Sequence, residues 1–191
     1  SICTSALQND DFDILMKKIR DGVAENPNID KALELYDDVQ GCFIDIDYAR
    51  RDRTNWMPLI HVDRLYDFVF AYTHPKNSYY QNEDLYHKIV KGLEYWHHRN
   101  PHCNNWWYNQ IGIPKTLGAA FILLEEQLTE QEHRAAVAVM ENAKFGMTGQ
   151  NKVWLAGNVL IRALLQNDAD LVKAARDAIA SEIVLGRKEG I

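Results

Sequence analysis

Several absences narrow what this chain can be. No run of about 18 apolar residues occurs, so no membrane partner is expected from a spanning helix. Positive charge is in deficit: 21 Lys and Arg stand against 27 Asp and Glu, a formal net charge of −6. Nucleic-acid binders need the opposite balance to displace counterions from phosphates, so no nucleic-acid partner is expected either. A polyanionic ligand would have to find a local basic patch. Three cysteines, Cys3, Cys42 and Cys103, are too few and too scattered for a disulfide framework. One bridge with a free thiol and three free thiols are both compatible with that count. Gly-rich phosphate loops, a Gly-x-Ser-x-Gly elbow and heptad runs are all missing. Ser1 opens the chain without a charged-then-apolar leader, so a signal peptide is either lacking or already removed.

What is present is helical periodicity. At 191 residues, one compact domain with a sizeable core is the expectation. Phe12, Leu15, Ile19 and Val23 mark a first helix, ended by Glu25-Asn26-Pro27-Asn28, and Ile29, Leu33, Tyr36 and Val39 a short second one. Gly41 to Pro58 breaks the pattern and reads as a long loop with room for a short extended piece. Leu59, Val62, Leu65, Val69 and Tyr72 then share one helical face, stopped by Thr73-His74-Pro75. Leu85, Ile89, Leu93 and Trp96 form the next helix, before the polar cluster His97–Pro101. Pro114 suits a first helical turn, and Leu117, Phe121, Leu124 and Leu128 carry that helix forward. Thr129 with Glu132 is a capping box. Asn151 is placed to cap a helix through Leu165, and Asp168 a last one with Leu171, Ala175, Ile179 and Ile183 inward. Roughly eight helices with short connections predict an all-α fold of antiparallel helical hairpins stacked side by side.

Two stretches put aromatic and amide side chains together in loops. The first is Asn104-Asn105-Trp106-Trp107-Tyr108-Asn109-Gln110-Ile111-Gly112-Ile113-Pro114. Adjacent residues on a helix point about 100° apart, and on a strand to opposite faces, so one core rarely takes both indoles. An exposed indole pair beside amides suits a sugar ring, its apolar face on the aromatic and its hydroxyls on the amides. The competing assignment is one tryptophan in the core and the other at a helix junction. The second stretch is the turn Phe145-Gly146-Met147-Thr148-Gly149-Gln150. Lys144, Lys152 and the Arg50–Arg53 segment are candidate sources of local positive charge, or else plain solvated surface. A metal site from His97, His98, His102 and Cys103 fits no standard zinc spacing, so no metal is expected. Paired carboxylates for glycoside hydrolysis would have to come from Asp45 and Asp47 or from Glu125 and Glu126. Loop ion pairs and a solvated helix face are the commoner use of such residues.

Asn105-Trp106-Trp107-Tyr108-Asn109-Gln110-Ile111-Gly112-Ile113-Pro114 resembles the Asn-Trp-Trp-x-Asn-Glu-Ile-Gly-x-Pro signature of the hyaluronate, chondroitin AC and xanthan lyase family. Thr148-Gly149-Gln150-Asn151-Lys152 is similar to that family's Thr-Gly-Ala-Asn-Lys/Arg turn. Asp45-Ile46-Asp47-Tyr48, Trp56-Met57-Pro58 and His61-Val62-Asp63-Arg64-Leu65 add weaker support. The departures are Gln110 in place of Glu, Gln150 in place of Ala, and the Val153-Trp154 that follows Lys152.

The resemblance implies helical hairpins forming an incomplete α/α toroid, residues 1–191 being the N-terminal part of one catalytic domain. It implies β-elimination on an acidic polysaccharide, with no required cofactor. Trp106, Trp107 and Phe145 would hold the sugar chain, with Asn105 and Lys152 as neighbouring contacts and Asn151 as the catalytic amide. The family's proton-handling histidine and tyrosine lie further along than the Asn-bearing turn, and none of the seven histidines here falls in a matching motif. The expectation is therefore the N-terminal portion of a longer, secreted or periplasmic lyase, inactive alone and partnered by the remaining toroid and β domains. The alternatives are a non-catalytic carbohydrate- or protein-binding helical module and an α/α-barrel glycoside hydrolase.

Overall fold

Eight α-helices follow one another in the computed structural model, which describes residues 9–22 and 26–183. They are α1 (Asn9–Asp21), α2 (Asp30–Glu34), α3 (Leu59–Thr73), α4 (Glu83–Arg99), α5 (Ile113–Leu124), α6 (Glu130–Met140), α7 (Gly149–Leu165) and α8 (Ala169–Ala180). A π-helical turn, Tyr108–Gly112, leads into α5. Local chemistry sets the helix ends. The Asn82 side chain accepts the Leu85 N–H at the start of α4, and Asn100 closes that helix in the left-handed conformation at φ 43°. Thr129 and Glu132 form a reciprocal capping box on α6, and Asp168 accepts the Leu171 N–H on α8.

Helix α5 is apolar nearly all round, and α1, α3, α6 and α7 all pack on it. One core gathers Phe12, Trp56, Trp96, Leu117 and Leu164, and a second gathers Ile29, Phe43, Phe68, Leu85 and Leu124. A smaller cluster of Ile111, Leu155, Val159 and Ala175 joins α7 and α8 to the π turn, with Trp107 and Trp154 against it. Only residues 166–168 separate α7 from α8, which makes them an antiparallel hairpin. Among the described residues, no helix is long and apolar enough to cross a membrane.

His61 anchors the long loop from below. It is fully buried on α3 and stacks on Tyr95 and Trp96. Its Nε2 bonds the Gly92 carbonyl at 3.0 Å. A carbonyl only accepts, so that nitrogen carries the proton, and Nδ1 takes the Tyr48 hydroxyl hydrogen at 2.8 Å. Tyr48 in turn accepts the Phe43 N–H at 3.0 Å. Burial pushes the His61 pKa down to about 4, so the ring is neutral.

The structure departs from the periodicity in four places. Helix α2 stops at Glu34, and Tyr36–Asp37 (β1) pairs antiparallel with Cys42–Phe43 (β2). The cause is a turn: Asp37 Oδ1 accepts the Val39 and Gln40 N–H groups, and Gly41 turns at φ +78°. A Cβ at Gly41 would meet the Lys91 carbonyl oxygen at 2.5 Å. Tyr36 is thus a core strand residue and Val39 an exposed turn residue. Helix α5 ends at Leu124, and a 3₁₀ turn, Glu125–Gln127, delivers Leu128 to the core from outside the helix. Helix α7 begins at Gly149 with Thr148 at its N-cap, so Asn151 lies inside the first turn instead of capping it. Helix α8 ends at Ala180, which leaves Ile183 exposed. Val23, Glu25 and Cys3 lie outside the described residues, while Cys42 and Cys103 are free and buried.

Candidate functional site

The tryptophan corner is assembled from backbone-directed side chains. Asn109 Oδ1 accepts the Cys103 N–H at 3.0 Å, and its Nδ2 donates to the Cys103 carbonyl at 2.8 Å, closing the loop between them. Asn105 Oδ1 accepts the Trp107 N–H at 3.1 Å, and its Nδ2 donates to the Arg53 carbonyl at 3.1 Å. The Cys103 thiol donates to the Asp52 carbonyl at 2.9 Å, and the Asn104 N–H to the Arg51 carbonyl at 3.2 Å. These bonds pin the basic Arg50–Arg53 segment along the base of the corner. Trp56, only 2% exposed, supports it from within, donating from Nε1 to the Arg50 carbonyl at 2.8 Å and packing on Trp96 and Tyr108.

The two indoles part as their adjacency requires. Trp106 is 37% exposed, whereas Trp107 is half-buried and meets Trp154 edge to face, centroids 5.9 Å apart at 83°. Gly112 makes room for Trp107: a Cβ there would come within 3.0 Å of the indole. In the π turn the Ile111 carbonyl is taken by buried Asn158 Nδ2 at 3.1 Å, which ties the turn to α7.

The second element is the turn before α7. Phe145 and Met147 are 45% and 54% exposed. Met147 and Gly149 sit in the left-handed region at φ +62° and +59°. Asn151 follows in the first turn of α7, and its side-chain amide has no hydrogen-bond partner among the described residues. Residues 151 and 154 share a helix face, so Trp107 packs against the side of α7 that bears Asn151. Phe145 makes no ring contact with either tryptophan among the described residues.

Lys152 is not a free cation. Its Nζ lies 2.9 Å from Glu182 Oε1, while Glu182 Oε2 accepts the Gly149 N–H at 2.7 Å. The Lys152 ammonium, with the Gly149 N–H, holds the Glu182 carboxyl below the usual carboxylate range. Glu182 carries no signal in the sequence, since it belongs to no motif and stands between Ser181 and Ile183 at the end of the last apolar-periodic stretch.

The remaining candidates are committed elsewhere. Asp45 forms a two-pronged ion pair with Arg64 at 2.6 and 2.7 Å, and Asp47 accepts the Ala49 N–H. Glu125 and Glu126 both face Arg20. Arg50 pairs with Asp52 at 2.5 Å. His98 bonds the Glu94 carbonyl at 2.8 Å, and among the described residues no three His, Cys, Asp or Glu side chains converge to hold a metal ion. An apolar groove of about 480 Å³ between α4, α5 and α6 is lined by Leu93, Leu117, Phe121 and Val139 and takes no residue from the corner.

Comparison with known proteins agrees with this architecture. Chondroitinase-AC of Pedobacter heparinus is 31% identical over 139 residues, which are 71% of this chain and 20% of that enzyme. Xanthan lyase of Bacillus sp. (strain GL1) is 29% identical over 126 residues, 62% of this chain and 14% of the enzyme. The chain thus spans about a fifth or less of the curated relatives it matches. A chondroitinase AC lyase solved in oligosaccharide complexes superimposes with a TM-score of 0.78 at 28% identity, covering 88% of this chain and 26% of that one. The stacked hairpins are accordingly part of an α/α toroid. All of residues 1–191 match polysaccharide lyase family 8, N-terminal alpha-helical domain, and the chain belongs to that family.

Proposed function

We propose that this chain is the N-terminal part of the toroid of a secreted lyase that cleaves a uronic-acid-containing polysaccharide by β-elimination. The observation that carries the proposal is the Asn151 amide, without a hydrogen-bond partner among the described residues, on the face of α7 against which Trp107 packs. In the reaction the C5–H bond of the uronic acid breaks, its electron pair forms the C4–C5 double bond, and the C4–O bond to the next sugar breaks. The departing oxygen takes a proton. The C5 proton is weakly acidic while the adjacent carboxylate holds its full charge. The Asn151 amide, donating to that carboxylate, draws off charge as the enolate-like intermediate forms. A donor already in place costs no reorganisation at that moment.

Trp106, Trp107 and Phe145 give the sugar chain its apolar ledge, with Asn105 at the edge. Exposed Arg51 and Arg53 supply positive charge beside the corner. Lys152 acts from within its pair with Glu182. Proton transfer belongs to residues in the part of the enzyme that follows this chain, and export follows from a polymer too large to be taken up.

The test is product chemistry. The full-length enzyme is incubated separately with hyaluronan, chondroitin and xanthan, and ultraviolet absorbance of unsaturated uronate is followed beside reducing ends. Absorbance rising in step with reducing ends on one of these polymers is expected. Reducing ends without absorbance would mean hydrolysis, and neither signal with retained polymer binding would mean a binding module.

A further inference from the structure

The structure assigns Glu182, just past α8, the part of a positioning residue for Asn151. The assignment rests on the lyase reading above and adds to it a residue from outside both motifs. Three features of the fold carry it. The Glu182 carboxylate reaches back along the α7–α8 hairpin and bridges the Gly149 N–H at 2.7 Å and the Lys152 ammonium at 2.9 Å. Gly149 and Lys152 flank Asn151 on both sides, so one carboxylate grips the two ends of the segment that aims the amide. Asn151 itself has no hydrogen bond to orient it among the described residues.

The turn leading in needs such a grip. Met147 carries a side chain at φ +62°, and a Cβ built on Gly149 would meet nothing within 4 Å. Side-chain packing therefore does little to hold this backbone, and a left-handed methionine pushes it toward other conformations. The Glu182 and Lys152 side chains are only 22% and 26% exposed, so the pair is shielded better than most surface ion pairs. The Lys152 ammonium and the Gly149 N–H both favour the ionised form and hold the Glu182 carboxyl below its ordinary value. Its role is to fix the first turn of α7, so that the Asn151 amide waits in the orientation that the substrate carboxylate needs.

The experiment measures kcat, KM and melting temperature of the full-length enzyme for wild type, E182A and E182Q on the polymer that it cleaves. In E182A, kcat falls on the order of tenfold to a hundredfold, the range that slight misplacement of a catalytic group brings, with KM within about twofold. E182Q sits between, about threefold below wild type, since its amide keeps an acceptor for Gly149 and gives up only the charge facing Lys152. An E182A kcat within about twofold of wild type overturns the assignment. So does a loss that follows a lowered melting temperature and is no smaller in E182Q. Should wild type release no unsaturated product, the lyase reading and with it the positioning role fail. Hydrogen exchange at the Gly149 amide then judges the bridge alone. Faster exchange in E182A upholds the bridge, and equal exchange in the two proteins removes it.

Discussion

The corner that carries the tryptophans and the turn that carries Asn151 are built on opposite plans. In the corner, Asn105, Asn109, Cys103 and Trp56 all bond to backbone, and buried rings fill the space beneath. In the turn, exposed Phe145 and Met147 flank a backbone with three positive φ angles, at Gly146, Met147 and Gly149, tied through Glu182 to the segment just past α8. On the lyase function proposed above, the difference separates two jobs. A ledge for sugar rings needs fixed shape, so its amides are consumed in holding the loop. A reacting amide has to keep its hydrogen-bonding capacity for the substrate, so its orientation comes from its neighbours.

The comparison breaks if loss of the Asn151 side chain damages folding or if variants in the corner spare it. Asn151→Ala tests the turn most severely. In the full-length enzyme kcat should fall by about 10²–10³, equivalent to about 2.7–4 kcal/mol of barrier, while the melting temperature stays put. Unchanged turnover would remove Asn151 from the chemistry.

Acid tests the support beneath the corner. His61 titrates near 4 when folded and near 6.5 when unfolded, so below 6.5 the unfolded chain binds the extra proton. Its contribution is complete above pH 6.5 and is lost as pH falls toward 4, by up to about 3 kcal/mol. Urea denaturation at several pH values should show this slope, and His61→Phe should flatten it. An identical slope in the variant would show that other groups carry it.

Smaller effects sharpen the contrast. Asn109→Ala strands the Cys103 N–H and carbonyl and should cost about 1–3 kcal/mol, measured by chemical denaturation, with altered tryptophan fluorescence from the corner. Gly149→Ala keeps every contact but puts a methyl group on a left-handed residue, at a cost of about 1–2 kcal/mol. In the full-length enzyme its kcat should drop further than that stability loss explains. Stability unchanged in the first variant, or kcat unchanged in the second, would dissolve the distinction.

Much of the fold was legible because helical spacing, Pro114, the Thr129–Glu132 box and Asp168 each act locally. Tyr36 misled because it continues the spacing of Ile29 and Leu33, while the deciding facts, the Asp37 turn and the Lys91 carbonyl against Gly41, are partly tertiary. Asn151 looked like a cap because asparagine favours that position, but the helix begins earlier, at left-handed Gly149, with Thr148 in the capping position. Trp106, Trp107 and Asn151 stood out through motifs. His61 entered only through a weaker stretch of the resemblance and Glu182 through none, because their meaning lies in partners from 13 to 33 positions away, which no local pattern encodes.

The π turn at Tyr108–Gly112 winds one residue more than a regular helix would into the approach to α5. Ridding the gene of a single codon there would let the segment rewind as ordinary α-helix with its composition nearly intact. The same deletion would swing everything before it by about 100° around the axis and draw it in by about 1.5 Å. Trp106 and Trp107 would then face a different quarter of the molecule. At this point chain length, more than residue identity, aims the ledge, so an in-frame deletion would do more harm than most substitutions.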